Sequence, residues 1–238
     1  MCSSDLLDGA GGPDTLDGGT GNDVYLLNAK TGITILDAGG VDTVRLDSLA
    51  YSASEAPYLL PDGIENVELY SSNQYSSIYF SGATGNALDN RMTGGAQKNT
   101  LSGGDGNDTL TGAGENDTLT GGAGNDAFVF DAPLQVPDAY GNLSTAGIDT
   151  ITDFTVGVDK IHLDDNAFSA LPLTTTGAFL DAHLVIGTAA AAAEDRIIYD
   201  SATGALFYDP DGDGAQAQVQ FAQLQTGLAL TAGDFLIV

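Results

Sequence analysis

Between Gly85 and Val129, side chains with only oxygen to offer recur at a fixed spacing. Five nine-residue units follow without a gap: GNALDNRMT, GGAQKNTLS, GGDGNDTLT, GAGENDTLT and GGAGNDAFV. Two more, GAGGPDTLD and GGTGNDVYL, occupy Gly9 to Leu26. The sixth place holds Asn90, Asn99, Asp108, Asp117 and Asp126 in turn, and the eighth Met92, Leu101, Leu110, Leu119 and Phe128. Carboxylates and carbonyls are hard ligands, which select Ca2+ over zinc or copper. A flexible shell of about six to eight oxygens suits Ca2+ better than Mg2+.

The elements that must position these groups follow from one unit. Gly103, Gly104 and Gly106 permit the positive φ angles of a tight turn. Asp108 closes the turn, and Thr109, Leu110 and Thr111 form a short strand with Leu110 on one face. One apolar residue per unit makes a thin core. Burying a Leu contributes roughly 1.5–3 kcal/mol, whereas ordering each backbone residue costs about 1–2 kcal/mol. If two units complete a coil, Asp108 stacks on Asp126 about 4.8 Å away. The carboxylates then repel by roughly 3 kcal/mol at an effective dielectric near 20. A divalent cation between them reverses that sign.

The units match the G-G-x-G-x-D-x-U-x nonapeptide, with U a large apolar residue, at every defined place in Gly18–Leu26, Gly103–Thr111 and Gly121–Val129. In this the chain resembles the RTX proteins, whose repeats bind Ca2+ in parallel β-rolls. The resemblance implies ions held between turns on one edge of the roll, by sixth-place acids and turn carbonyls. Carried onto this chain, the main site joins Gly103, Gly104, Asp105, Gly106 and Asp108 to Gly121, Gly122, Ala123, Gly124 and Asp126. A second joins Gly94–Asn99 to Gly112 and Asp117, and a third joins Gly85–Asn90 to Gly103–Asp108. Asn90 and Asn99 replace Asp in these two, and Lys98 adds an unfavourable charge. In the N-terminal units the corresponding residues are Asp14, Gly18, Gly19, Gly21 and Asp23. Asp149 and Asp153 either complete a site at the end of the roll or are solvated strand-edge acids. Asp209-Pro-Asp211-Gly-Asp213-Gly echoes half an EF-hand loop without its closing Glu, and reads as a hairpin turn or an ion site.

The expected fold is all-β: a parallel β-roll or solenoid with a β-rich C-terminal capping region. Residues 1–26 are N-terminal repeats, 27–84 an irregular spacer with little or no metal, 85–130 the calcium-binding roll, and 131–238 the cap. Strands are expected at Ile33–Leu36, Thr43–Leu46, Ile64–Tyr70, Ser77–Phe80, Arg196–Tyr199, Ala205–Tyr208, Gln218–Phe221 and Phe235–Val238. Alternating strands are also read in Gly147–Phe154 and Gly157–Leu163, and single helical turns at Asn166–Ala170 and Thr188–Glu194. The ending Asp234-Phe235-Leu-Ile-Val238 resembles that of type I secretion substrates, which implies the type I export machinery as a partner and an extracellular location. Residues 2–6 resemble translated adapter sequence, and the chain reads as the C-terminal part of a longer adhesin or hydrolase.

Composition narrows the partners. The 238 residues carry a net charge of −27, with six Lys and Arg. Such a surface excludes nucleic acid, whose phosphates need cations. No apolar run is long enough to span a membrane. Cys2 stands alone, so no internal disulfide forms. His162 and His183 lie in strand-like contexts without an H-E-x-x-H or G-x-S-x-G companion, so no catalytic constellation is read. Thr109, Thr111, Thr118 and Thr120 are expected to point outward, a row that an adhesin or an ice-binding surface would use.

Overall fold

The computed structural model describes residues 4–9, 12–27, 32–47, 56–70, 82–132, 136–137, 143–144, 147–172 and 181–238. Their strands, in chain order, begin with β1 (Leu6–Asp8), β2 (Thr15–Gly19), β3 (Val24–Leu27), β4 (Thr34–Asp37), β5 (Thr43–Asp47), β6 (Tyr58–Leu59), β7 (Asn66–Tyr70) and β8 (Gly82–Thr84). The nonapeptide region supplies β9 (Arg91–Thr93), β10 (Thr100–Asp105), β11 (Thr109–Thr111), β12 (Thr118–Ala123) and β13 (Ala127–Phe130). Beyond it lie β14 (Val136–Pro137), β15 (Leu143–Ser144), β16 (Asp149–Ile151), β17 (Lys160–Leu163), β18 (Leu184–Ile186), β19 (Ile197–Asp200), β20 (Ala205–Tyr208), β21 (Val219–Gln223) and β22 (Phe235–Ile237).

From β6 to β13 consecutive strands alternate between two sheets, so each coil there contributes one strand to each, while β2 and β4 pair in a two-stranded sheet of their own. One sheet runs β1-β3-β5-β7-β9-β11-β13-β17-β22, and the other runs β18-β19-β20-β21-β16-β12-β10-β8-β6. Pairing along the repeats is parallel, with Leu101 against Leu119 and Leu110 against Phe128. Partners are eighteen residues apart there, as the hydrogen bonds across the coils also show. Two nine-residue units therefore make one coil, and the fold is a parallel β-roll.

The eighth-place side chains stack into an inner row. Tyr25, Val44, Val67, Met92, Leu110, Phe128, Ile161 and Phe235 are cross-strand neighbours in the first sheet, and all are buried. In the second sheet Ala83, Leu101, Leu119 and Ile151 form the facing row.

After β13 the coil length changes. The hydrogen-bonded offset grows to 32 and 33 residues, because an excursion carrying the small β14-β15 sheet is inserted before β16 and β17. The second sheet then turns antiparallel through β21, β20 and β19. Phe168 packs edge-on against Tyr208 and Phe221, each at 5.1 Å, and Phe130 meets Phe221 at 5.0 Å. This aromatic cluster is a wider core than anything in the repeats. Among the described residues no helix is long and apolar enough to cross a membrane.

Three expectations are corrected. Thr111 is buried, not outward-facing. Its cross-strand partner Val129 lines a small cavity with Asp131, Ala132 and Gly147, where the chain leaves the regular coils. Thr188–Glu194 is not helical; short 3-10 turns occur instead at Asp181–His183 and Ala232–Asp234. His183 accordingly ends a 3-10 turn and does not lie on a strand. The strand expected at Ser77–Phe80 lies outside the described residues.

Candidate metal centres

The sixth-place residues form a ladder along each edge of the roll. On the first edge the backbone N–H of Asn90 donates to Asp108 Oδ1 at 2.7 Å, Asp108 N–H to Asp126 Oδ1 at 2.9 Å, and Asp126 N–H to Asp159 Oδ1 at 3.0 Å. Nearer the N-terminus, Asp5 N–H donates to Asp23, Asp23 N–H to Asp42 and Asp42 N–H to Glu65. On the second edge Asn99 N–H donates to Asp117 at 2.6 Å and Asp117 N–H to Asp149 at 3.0 Å. Each acid thus uses one oxygen to accept from the coil before it.

The other oxygen is where the chemistry lies. Among the described residues, Oδ2 of Asp23, Asp42, Asp108 and Asp117 is buried without a hydrogen-bond partner. A buried acceptor left unpaired costs about 1–3 kcal/mol, and more when charged. Carbonyls converge on the same points. A Cβ added to Gly103 would overlap Asp108 Oδ2 and lie 2.6 Å from the Gly121 carbonyl oxygen. One added to Gly112 would meet Asp117 Oδ2 and lie 2.8 Å from Asp149 Oδ2. Glycine at the first place leaves room for a ligand between oxygens. These donors fit Ca2+: hard, anionic, oxygen-only and short of positive partners.

The remaining predicted residues divide between these cradles and other duties. Gly104, Gly106, Gly122 and Gly124 hold positive φ angles, as do Gly19 and Gly21. Asp105 pairs with Ala123 in register, and the Ala123 carbonyl accepts Gly106 N–H. Gly18 packs against Asp23 Oδ2 and Tyr25. Asn90 and Asn99 close their turns by accepting from Asn86 N–H and Gly95 N–H. The Asn90 amide also donates to the Glu65 carbonyl, so a protein donor serves where Asp would present a bare oxygen. Thr15 pairs with Thr34, which places Ile33, not an acid, opposite Asp14. Asp149 joins Asp117, whereas Asp153 spends both oxygens on Gly121 N–H and Gly122 N–H, at 2.9 and 2.8 Å. Asp209 and Asp211 accept backbone N–H groups within the connection between antiparallel β20 and β21.

Several participants escaped the sequence reading. Asp159 ends the first-edge ladder with both oxygens satisfied, by Asp126 N–H and Thr155 N–H. Asp37 and Asp42, in the stretch expected to hold little or no metal, lie with Asp23 so that one oxygen from each is within 4.8 Å of the others. The signal was present as a five-residue fragment, G-x-[D/E]-x-U, in Gly40–Val44, Gly63–Val67, Gly147–Ile151 and Gly157–Ile161.

Burial sets the electrostatics of the ladder. It raises Asp108 to about 6, with repulsion from Asp126 adding to the shift. It raises Asp117 to about 8, with Asp149 opposing its charge, and Asp149 to about 7. Asp126 and Asp42 also rise, mainly through desolvation. Each backbone N–H bond pulls the other way but does not compensate.

The sequence profile of the RTX calcium-binding nonapeptide repeat matches residues 3–29, 84–119 and 103–132. Residues 3–29 and 84–132 are therefore RTX calcium-binding repeats, arranged here as a β-roll, and the repeats of that family carry Ca2+. No curated protein matches it. Among solved structures it resembles the solution structure of the AlgE6R3 subunit from the Azotobacter vinelandii mannuronan C5-epimerase. That likeness is 23% identical, covers 68% of this chain and 83% of that one, and has a TM-score of 0.40. So loose a superposition leaves the architecture to be read from the strand pairing itself.

Proposed function

We propose that this chain is a calcium-folded module of a protein exported by a type I system, acting outside the cell. The observation that supports this best is the row of buried, unpartnered carboxylate oxygens at Asp23, Asp42, Asp108 and Asp117. One ion site would use Asp108, Asp126 and the carbonyls of the Gly103 and Gly121 turns. A second would use Asp117 and Asp149, with Asn99 on its far side, and a weaker third Asn90 and Asp108. A bound divalent cation supplies the positive charge that offsets repulsion between stacked turns. The residues do the rest: glycines hold the cradles open, N–H groups fix one oxygen of each acid, Asp159 ends the first-edge ladder with protein donors, and Asp153 accepts from the Gly121 turn.

The division into N-terminal repeats, spacer, roll and cap is part of the same proposal, with the cap joined to the roll through β16 and β17. The C-terminal segment fits an export signal used before folding. Asp234 is buried, accepting from Gly157 N–H and Thr231 N–H, and β22 is paired with β17. A transporter would therefore read this segment on the unfolded chain. In the cytosol Ca2+ lies below the roughly 10⁻⁴–10⁻³ M range of extracellular modules. Outside, about 10 mM Ca2+ against a dissociation constant near 0.1 mM adds roughly 2.7 kcal/mol per site.

The test is a calcium titration followed by heat and by far-UV circular dichroism. Saturable heat accompanied by a coil-to-β change is expected. Identical spectra in chelator and in Ca2+ would refute calcium-driven folding.

A further inference from the structure

The ladder on the first edge reverses its direction at one place. Asp23, Asp42, Glu65, Asp108, Asp126 and Asp159 each accept a backbone N–H from the coil before. Asn90 does the opposite: its amide nitrogen donates back, to the Glu65 carbonyl at 3.2 Å and the Ile64 carbonyl at 3.4 Å. Its Oδ1 accepts Asn86 N–H at 2.8 Å, which fixes the amide so that the nitrogen faces those carbonyls. The reversed rung falls where the coil is long. Asn66 pairs with Arg91, twenty-five residues apart, against eighteen within the repeats.

Asn86 works beside it. Its Oδ1 accepts Leu88 N–H at 2.9 Å, so its amide nitrogen is the group that meets the Pro61 carbonyl at 2.7 Å and the Ile64 carbonyl at 2.8 Å. The Asn90 nitrogen also lies 3.2 Å from Asn86 Oδ1. Four carbonyl oxygens thus converge on two amide nitrogens, three from the Pro61–Glu65 turn and one from Asn86. Convergent hard oxygens are what Ca2+ takes as ligands. Here the N–H groups of two neutral side chains meet them instead. Asn90 is 1% exposed and Ile64 is fully buried, so water does not serve in their place. An acid at place 86 would set a bare oxygen against these carbonyls, and acceptor against acceptor needs a cation between them.

We propose that Asn86 and Asn90 stand in for a calcium ion at the junction between the coil of β7 and the coil of β9, so that this junction stays closed without metal. The two amides decide which rung of the edge takes no ion. The proposal deepens the calcium reading of the roll and rests on it. In chelator Asp42 and Asp108, on either side, keep their unpartnered oxygens, whereas the amide joint between them carries no charge.

The test uses the whole chain. Hydrogen exchange of the wild type in chelator compares three N–H groups that cross coil junctions: Arg91 to the Glu65 carbonyl, Thr43 to that of Asp23, and Ala127 to that of Asp108. Arg91 is expected to exchange at least about tenfold more slowly than the other two, the factor that one or two buried hydrogen bonds supply. Equal rates would overturn the proposal. Asn86→Asp keeps the acceptor for Leu88 N–H and replaces the amide donors by an oxygen. It is expected to melt below wild type in chelator, to regain that loss in Ca2+, and to add one Ca2+ to the calorimetric stoichiometry. Asn86→Ala, without the carboxylate, is expected to melt lower in both buffers and to add none. If Asn86→Asp gains no ion, or melts in chelator as wild type does, the amides do not occupy an ion's place. Should neither variant fold, the wild-type exchange rates decide. A wild-type chain that takes up no Ca2+ while Arg91 stays protected refutes the calcium reading and, with it, the exchange of amide for ion.

Discussion

Replacing Asp108 by Asn tests the roll most sharply, because it should stabilise the metal-free protein and lose that advantage in calcium. The substitution keeps the shape and the Oδ1 acceptor for Asn90 N–H, and Asn90 already shows that an amide fits a sixth place. It removes one charge from a fully buried carboxylate whose second oxygen has no partner. In chelator that charge only costs: relief of an unsatisfied buried acceptor is worth about 1–3 kcal/mol. In about 10 mM Ca2+ the same charge holds an ion, and losing the site forfeits roughly 2.7 kcal/mol. For a chain of this size about 1 kcal/mol moves the melting temperature by roughly 2–4 °C. Thermal unfolding of Asp108→Asn is therefore expected about 2–12 °C above wild type in chelator, and in Ca2+ the lost site takes back roughly 5–11 °C, so the advantage vanishes or reverses. Equal shifts in the two buffers would refute the role given to Asp108.

Ala113 and Glu115 hold φ angles of 72° and 66°, in the left-handed region where side chains cost about 1–2 kcal/mol. Replacing both by Gly should raise the melting temperature by a few degrees, since the strain relieved exceeds the added unfolded-chain freedom of roughly 0.4–1 kcal/mol per Gly; differential scanning calorimetry checks it. Burial lifts Asp108, Asp149 and Asp117 to about 6, 7 and 8, so without metal the folded roll binds more protons than the unfolded chain. Stability in chelator should then fall as pH rises from about 4 to about 8, whereas calcium affinity should rise over the upper part of that window with release of protons. Calorimetry at pH 6.5 in buffers of different ionisation heat measures that release, and equal heats would contradict it. In the cap, Phe168→Ala should cost about 3–5 kcal/mol, lowering stability in Ca2+ and in chelator alike. Hydrogen exchange in chelator should find the amides of Ile198 and Leu206 more protected than those of Thr109 and Ala127, and Ca2+ should narrow the difference.

Much of this was legible because the repeat is a physical instruction. Gly at places one, two and four, Asp at six and an apolar residue at eight prescribe a turn, a ligand and an inward strand residue in that order. The eighteen-residue register follows once two such units must bury their apolar residues against each other. Illegible parts are those where only half a unit survives. Gly157-Val-Asp-Lys-Ile161 keeps the ladder acid and the core residue but lacks the opening glycines, so Asp159 did not stand out. By position Asp153 is either a ligand at the end of the roll or a solvated strand-edge acid; only coordinates reveal that two N–H groups of the Gly121 turn already occupy it. Tyr25 occupies the apolar eighth place of its unit, although its hydroxyl reaches Asp37, an acid outside that unit.

The placement of apolar and acidic residues along the edge of the roll that carries Asp117 and Asp149 decides where on that edge the proposed calcium sites have room. A second inner row runs beside the first. At the N-terminal end it is Leu27, Leu46 and Leu69; at the C-terminal end it is Phe130, Leu163 and Ile237. Between them, following Thr93 and Thr111 in register, it is Gly94 and Gly112. Each missing side chain forfeits roughly 1.5–3 kcal/mol of burial. These are also the positions whose glycines border the carboxylates of Asp117 and Asp149 and the amide of Asn99. An apolar side chain and an ion cradle cannot occupy the same first place, because a Cβ there collides with the ligand oxygens. This edge of the roll is thus apolar at its ends and acidic in its middle by steric necessity, and the calcium sensitivity proposed for it falls on the glycines that make room there.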